Sequence, residues 1–161
     1  MHVALLLMLV AAVLTQYPAT AALRAQAPGT PAASALDFEF FRTKVQPILL
    51  AKREGHARCV TCHSVGTPMR LQELSPGAGT WNEEQSRMNF QVVAVRVTPL
   101  TPFQSKLLLH PLLAEGGGSF HHGGGKHWNS FLDPEWQTIA NWICGRKAAE
   151  TIVELTRGCV S

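Results

Sequence analysis

Cys59-Val60-Thr61-Cys62-His63 is the stretch on which the rest of the chain is read. Two thiols three positions apart, followed at once by an imidazole, form C-x-x-C-H, the attachment sequence of a c-type haem. The spacing has a chemical reason. Each thiol reaches one vinyl group of the same porphyrin and forms a thioether, and the next residue aims its imidazole at the iron from the proximal side. The Cys and His frequencies of this chain give about 0.004 such matches by chance. Three rival readings fit less well. A thioredoxin-like redox pair normally follows a strand, whereas the residues before Cys59 are basic and helical in pattern. A zinc site needs four ligands, and Cys144 and Cys159 do not form a second C-x-x-C. A disulfide between Cys59 and Cys62 would be strained.

Composition narrows the class. The chain has 161 residues, 46% hydrophobic and 16% charged, which suits one globular domain rather than a disordered chain. Thirteen Gly and ten Pro without a period exclude collagen. A net charge of +3 is too mild for a nucleic-acid binder. Four cysteines are too few for a disulfide-dense miniprotein. No apolar run reaches the roughly 18–20 residues of a spanning helix, which excludes a polytopic membrane protein. Aromatics are only 7%, so the protein-only core is modest. A covalent haem would add a large rigid apolar body to it.

Residues 3–14, Val-Ala-Leu-Leu-Leu-Met-Leu-Val-Ala-Ala-Val-Leu, suit the apolar centre of a secretory signal, with Ala19-Thr20-Ala21 as the cleavage site. The expected signal peptide is 1–21, although no Lys or Arg precedes the apolar run. Residues 22–36 are Ala/Pro-rich and read as a flexible linker. Export to the periplasm or beyond agrees with covalent haem attachment.

The mature chain reads as all-α and rich in loops. A first helix is expected from Asp37, with Phe38, Phe41, Val45, Ile48 and Leu49 at helical spacing and a kink at Pro47. A second is expected from Thr80, where Thr80 and Glu83 give a capping-box pattern, with Met88, Val92 and Val95 on one face. A short third helix runs from Thr101-Pro102 to Leu109, stopped by Pro111. Residues 116–125 form a glycine-rich loop. Asp133-Pro134-Glu135 then supplies a cap, a helix-start proline and an acidic first turn. Trp136, Ile139, Ala140 and Ile143 follow as an apolar stripe, with Gly145 as the stop. The tail, 147–161, is expected to hold a short helix over about 147–156 and to be stapled by a Cys144–Cys159 disulfide, closing a loop of 15 residues.

Several segments together resemble a family. Phe41 and Val45-Gln46-Pro47-Ile48-Leu49, then Cys59 to Ser64, resemble the opening of small exported monohaem cytochrome c domains of planctomycete and acidobacterial type. Ser105 to Leu112 resembles their S-x-L-L-x-x-P-L segment, His122-Gly123-Gly124-Gly125 their H-x-G-G, and Trp136 to Trp142-Ile143 their closing helix. The resemblance covers about residues 37–146, in the family's order. It implies a class I cytochrome c-like domain, in which the first and last helices cross beside one haem c and the distal ligand comes from a loop before the last helix.

The candidates for that sixth position are Met69, Met88, His110, His121, His122 and His127. Met69 follows His63 too closely to reach the far face, Met88 reads as core, and His110 reads as a helix-end residue. His122 is the choice, from its match to H-x-G-G and its place 59 positions after His63, with His121 and His127 as fallbacks. The competing reading is a solvated loop histidine. A bis-histidine iron has a lower potential than a His/Met iron. Trp128, Trp136 and Trp142 are candidates to wall a haem pocket, with an indole nitrogen reaching a propionate; plain core is the competing and favoured reading, and no role is assigned to them. Lys126 and Arg70 are candidates to pair with haem propionates, and Arg42, Lys44, Lys52, Arg53 and Arg58 to face an acidic redox partner; for all of these a solvated charge is the competing reading. The expected function is single-electron transfer to a redox partner protein, without enzymatic chemistry. Two rivals stand beside it: a haem-based ligand sensor or peroxidase-like enzyme with a labile sixth site, and a fixed haem subunit of a membrane respiratory or photosynthetic complex.

Overall fold

A computed structural model describes residues 35–159. The expected signal peptide and linker residues 22–34 lie outside the described residues. Leu36, at the end of the expected linker, is buried in the core. The described residues are helical, without strands, and their one bridge is a parallel pairing of Leu112 with Trp128. None of their helices is long and apolar enough to cross a membrane.

The first helical stretch has three parts: α1 (Phe38–Phe40), a π-helical turn (Phe41–Val45) and α2 (Gln46–Leu50). Asp37 caps α1 as expected, its carboxylate accepting from the Phe40 N–H at 2.7 Å. The π turn explains how the chain tolerates Pro47. Proline lacks an N–H, and its ring presses on the carbonyl four residues earlier. Widening the preceding turn, so that the Gln46 N–H reaches the Phe41 carbonyl, loosens that segment and lets Pro47 open α2. The helical stretch therefore runs on through Pro47, where a kink or two short segments were expected.

The haem-type motif itself forms a short helix, α3 (Cys59–His63). The next helix, α4 (Glu83–Ala94), starts later than expected. Asn82 and Gln85, not Thr80 and Glu83, make the reciprocal capping box. Its buried face is Ser86, Asn89, Val93 and Ala94, while Met88 and Val95 face solvent. The expected core role of Met88 is therefore wrong. The polar Asn89 is buried because its side chain accepts from the Gln72 N–H at 2.7 Å and anchors the incoming loop.

The expected third helix splits into a 3₁₀ turn (Pro102–Gln104) and α5 (Lys106–Leu109), with Ser105 extended between them. Its hydroxyl and the Thr98 backbone exchange hydrogen bonds and hold the corner. A second 3₁₀ turn (Ala114–Gly116) leads into the glycine-rich loop.

The last helix, α6 (Pro134–Ile143), forms as read. Asp133 caps it, Pro134 opens it, and Trp136, Ile139, Ala140 and Ile143 are fully buried. Gly145 takes a positive φ of 81°, and the Gly145 and Arg146 N–H groups close back on Trp142 and Asn141 as a Schellman motif. α6 packs against the π turn. There Trp142 donates to the Asp37 carbonyl at 2.9 Å and meets the Phe41 ring at 5.5 Å. Trp128, Trp136 and Trp142 are all core, as expected.

The tail holds no helix over 147–156, contrary to expectation. It runs extended along α6, because two buried amides there act as its hydrogen-bond partners. Asn141 exchanges two bonds with Val153 and Gln137 exchanges two with Leu155, all between 2.7 and 3.0 Å. The Cys144–Cys159 disulfide is present, with Cα atoms 5.3 Å apart.

Candidate functional site

α3, the end of α2, α5 and the loop through residues 122–128 surround a cavity of about 500 Å³. That volume lies within the range of small-molecule and cofactor sites. Its apolar wall includes Ile48, Leu49, Met69, Leu107 and Trp128. Into it the fold brings Cys59, Cys62, His63 and His122, the four residues singled out in the sequence. Both thiols are free.

The two imidazoles face one another. The His63 and His122 ring centroids are 6.2 Å apart, with planes 19° from parallel. That is too far for ring contact. The centroid distance is close to the roughly 6 Å that two metal–nitrogen bonds of about 2 Å and two ring radii span across one metal. Each ring is oriented by a backbone carbonyl. His63 Nδ1 lies 3.0 Å from the Met69 carbonyl, and His122 Nδ1 lies 2.6 Å from that of Gly125. Nδ1–H donates in each case, which leaves Nε2 as the nitrogen with a free lone pair. Neither Nε2 takes a hydrogen bond from the described residues.

The other sixth-position candidates sort as follows. Met69 lines the cavity, and its backbone lies beside His63, from whose ring its carbonyl accepts. Met88 is on the exposed face of α4 and does not line the cavity. His110 caps the end of α5, as expected, and also lines the cavity. His121 is exposed and lies off the cavity wall. His127 lines it, edge-on to His122 at 5.9 Å and 5.0 Å from His56, with Nδ1 buried and unpartnered.

Burial favours the neutral form of His63 and His127. It pushes the His63 imidazole below its ordinary value, aided by His122, although the Met69 carbonyl acts the other way. Burial, with Arg53 and His56 adding repulsion, pushes His127 down to about 4. Burial also raises the Cys59 thiol against the opposing pull of Arg53. No group of three or more His, Cys, Asp or Glu side chains among the described residues is placed to hold a metal ion. An ion between the two rings therefore needs in-plane donors supplied by the ligand, which a porphyrin has. The donor set, the free thiols and the cavity size all fit a covalently attached haem.

Sequence reading missed the support behind this wall. Arg53 is not part of a solvated basic face. Its guanidinium turns inward, donating from Nε to Glu135 at 2.7 Å and also to the Ile48 carbonyl. Trp128 Nε1 donates to the same Glu135 oxygen at 3.1 Å. The network ties the end of α2, the start of α6 and the tryptophan wall together. Its partners lie 82 and 7 positions apart in the chain, and no local pattern signals them. The glycine-rich loop holds a second omission. Gly123 and Gly124 do line the cavity, but the crowded positions are Gly118, where a Cβ would lie 2.0 Å from the Leu112 carbonyl oxygen, and next Gly116, where it would lie 2.6 Å from that of Asn129. Compared with protein-family models, curated proteins and solved structures, the chain matches none.

Proposed function

We propose that this chain is an exported monohaem c-type cytochrome that carries single electrons. Cys59 and Cys62 are the thioether attachment points, His63 is the proximal ligand and His122 the distal one. The observation that carries the reading is the facing pair His63 and His122, 6.2 Å apart, in the cavity that both free thiols line. When bound, the haem supplies a one-electron ferric/ferrous couple. The chain's own work is to fix both rings through their Nδ1 hydrogen bonds, to hold the His63 imidazole below its ordinary value by burial, and to line the site with apolar side chains. Ligands held in this way move little when charge changes. The Cys144–Cys159 disulfide supports an oxidising compartment. The acceptor of the electrons is a redox partner protein, free or within a membrane complex.

The test is expression of the full chain in cells that mature c-type cytochromes, followed by a pyridine haemochrome assay and intact mass. One covalent haem per chain is expected, and zero or two overturns the reading. Electronic and EPR spectra then test the axial pair. Wild type is expected to be low-spin in both oxidation states and His122→Ala high-spin, with His121→Ala unchanged. A low-spin His122→Ala removes His122 as the ligand. A high-spin ferrous wild type that binds carbon monoxide readily turns the reading toward a ligand-binding sensor or peroxidase-like enzyme.

A further inference from the structure

The cavity carries a charge pattern that its iron-ligating and thioether-forming residues do not explain. Its charged lining residues are Arg58, Arg96 and Lys106, and no Asp or Glu lines it. The other titratable groups facing it are Cys59, Cys62, His63, His110, His122 and His127. Arg58 and Lys106 are solvent-exposed and Arg96 is half-buried, so the wall offers an anionic ligand three cations and no competing carboxylate.

Arg96 and Lys106 are brought together by the fold. Arg96 follows α4 and Lys106 opens α5, yet the Leu107 N–H donates to the Arg96 carbonyl at 3.0 Å and sets the two side by side. The Arg96 guanidinium crosses to the segment after His63, where one terminal nitrogen donates to the Pro68 carbonyl at 2.5 Å. Its Nε is buried with no partner. A buried guanidinium N–H left unpaired is destabilising, so the position calls for an acceptor. The guanidinium edge matches the two oxygens of a carboxylate.

We infer that Arg96, with Lys106 beside it, binds the carboxylate arms of the haem. This rests on the cytochrome reading above and adds the residues that orient the porphyrin. Arg58 adjoins Cys59, at the vinyl edge, and vinyl and carboxylate groups sit on different pyrroles. The two cations proposed from sequence for this task are placed elsewhere. The Lys126 ammonium is committed to the His110 and Ser119 carbonyls, and Arg70 is exposed and off the cavity wall.

The test uses the full haem-loaded chain as wild type, Arg96→Gln, Arg96→Lys and Lys106→Gln. Carboxylate bending bands are read by resonance Raman, and the midpoint potential is followed from roughly pH 5 to 9. A carboxylate paired with a cation stays ionised through this range. Without its cation it titrates higher, and the potential then falls as rising pH ionises it beside the iron. Arg96→Gln is expected to shift the bands and add that step, Arg96→Lys to restore much of the flat profile, and Lys106→Gln to produce a smaller change of the same kind. Bands and profiles that superimpose on wild type in both glutamine variants, with one haem per chain, overturn the inference and leave the cytochrome reading standing. Should Arg96→Gln not accumulate, Lys106→Gln decides, because it keeps the bond to Pro68: unchanged bands overturn the clamp, shifted bands uphold it. A wild type without covalent haem overturns both, and the haemochrome assay identifies that case.

Discussion

Cys59 and Cys62 are three positions apart but differ in environment. Cys62 is exposed, whereas Cys59 is largely enclosed beside Arg53 and its thiol is raised by burial. In chain made without export, and so without haem, iodoacetamide at mildly alkaline pH is expected to modify Cys62 first, as read by peptide mass spectrometry. Equal rates would mean that the α3 wall is open before haem is attached. The pair was legible in sequence because C-x-x-C-H carries its chemistry in five consecutive residues. Arg53 was not, since a basic residue among basic residues gives no sign of a glutamate 82 positions away. The glycine-rich loop was half legible. Its glycines announce close approach, but which one is crowded depends on Leu112 across the turn. Gly118→Ala is expected to lower stability by about 1–3 kcal/mol in urea denaturation, because backbone cannot retreat as a side-chain end can. Gly79→Ala, where the added carbon meets open space and φ is not left-handed, serves as the control.

At the scale of elements, legibility followed how locally each one is specified. The cap, proline and stripe of α6 all lie within a dozen residues and read correctly. α4 was misplaced by three residues because two capping patterns overlap, and the one that forms is chosen by Gln85, whose amide also donates to the Glu73 carbonyl. The tail misled for a different reason. Its helix-compatible residues are outcompeted by Gln137 and Asn141, which offer paired donors and acceptors to its backbone. Asn141→Leu removes both bonds to Val153 and leaves that backbone unpaired, so a loss of about 2–4 kcal/mol is expected by denaturant unfolding. Opening the Cys144–Cys159 staple by a double serine substitution is expected to cost about 3 kcal/mol in the chain-entropy model. If the tail docks through its amide bonds as well as its staple, the two losses combine to less than their sum.

Over the whole molecule, the buried side chains divide by what covers them. Phe40, Phe41, Trp136, Trp142 and Ile143 are enclosed by other protein groups and do not line the cavity. Leu107, Trp128, Met69 and Ile48 border it and gain their remaining contacts from whatever fills it. The two sets predict different behaviour when haem is absent. Hydrogen exchange on haem-free chain is expected to show α6, the π turn and the stapled tail still protected. Residues 59–71 and 119–127 are expected to exchange faster than in the haem-loaded form, with a lower melting temperature overall. His63 and His122 lie in those two segments, each ring held only by partners within its own loop: the Met69 carbonyl and the Thr67 hydroxyl for His63, the Gly125 carbonyl for His122. Metal bonds to both rings would cross-link loops that the described hydrogen bonds leave separate. Equal protection with and without haem would mean that protein packing alone builds the cavity, and that the facing pair of imidazoles is rigid before any ligand arrives.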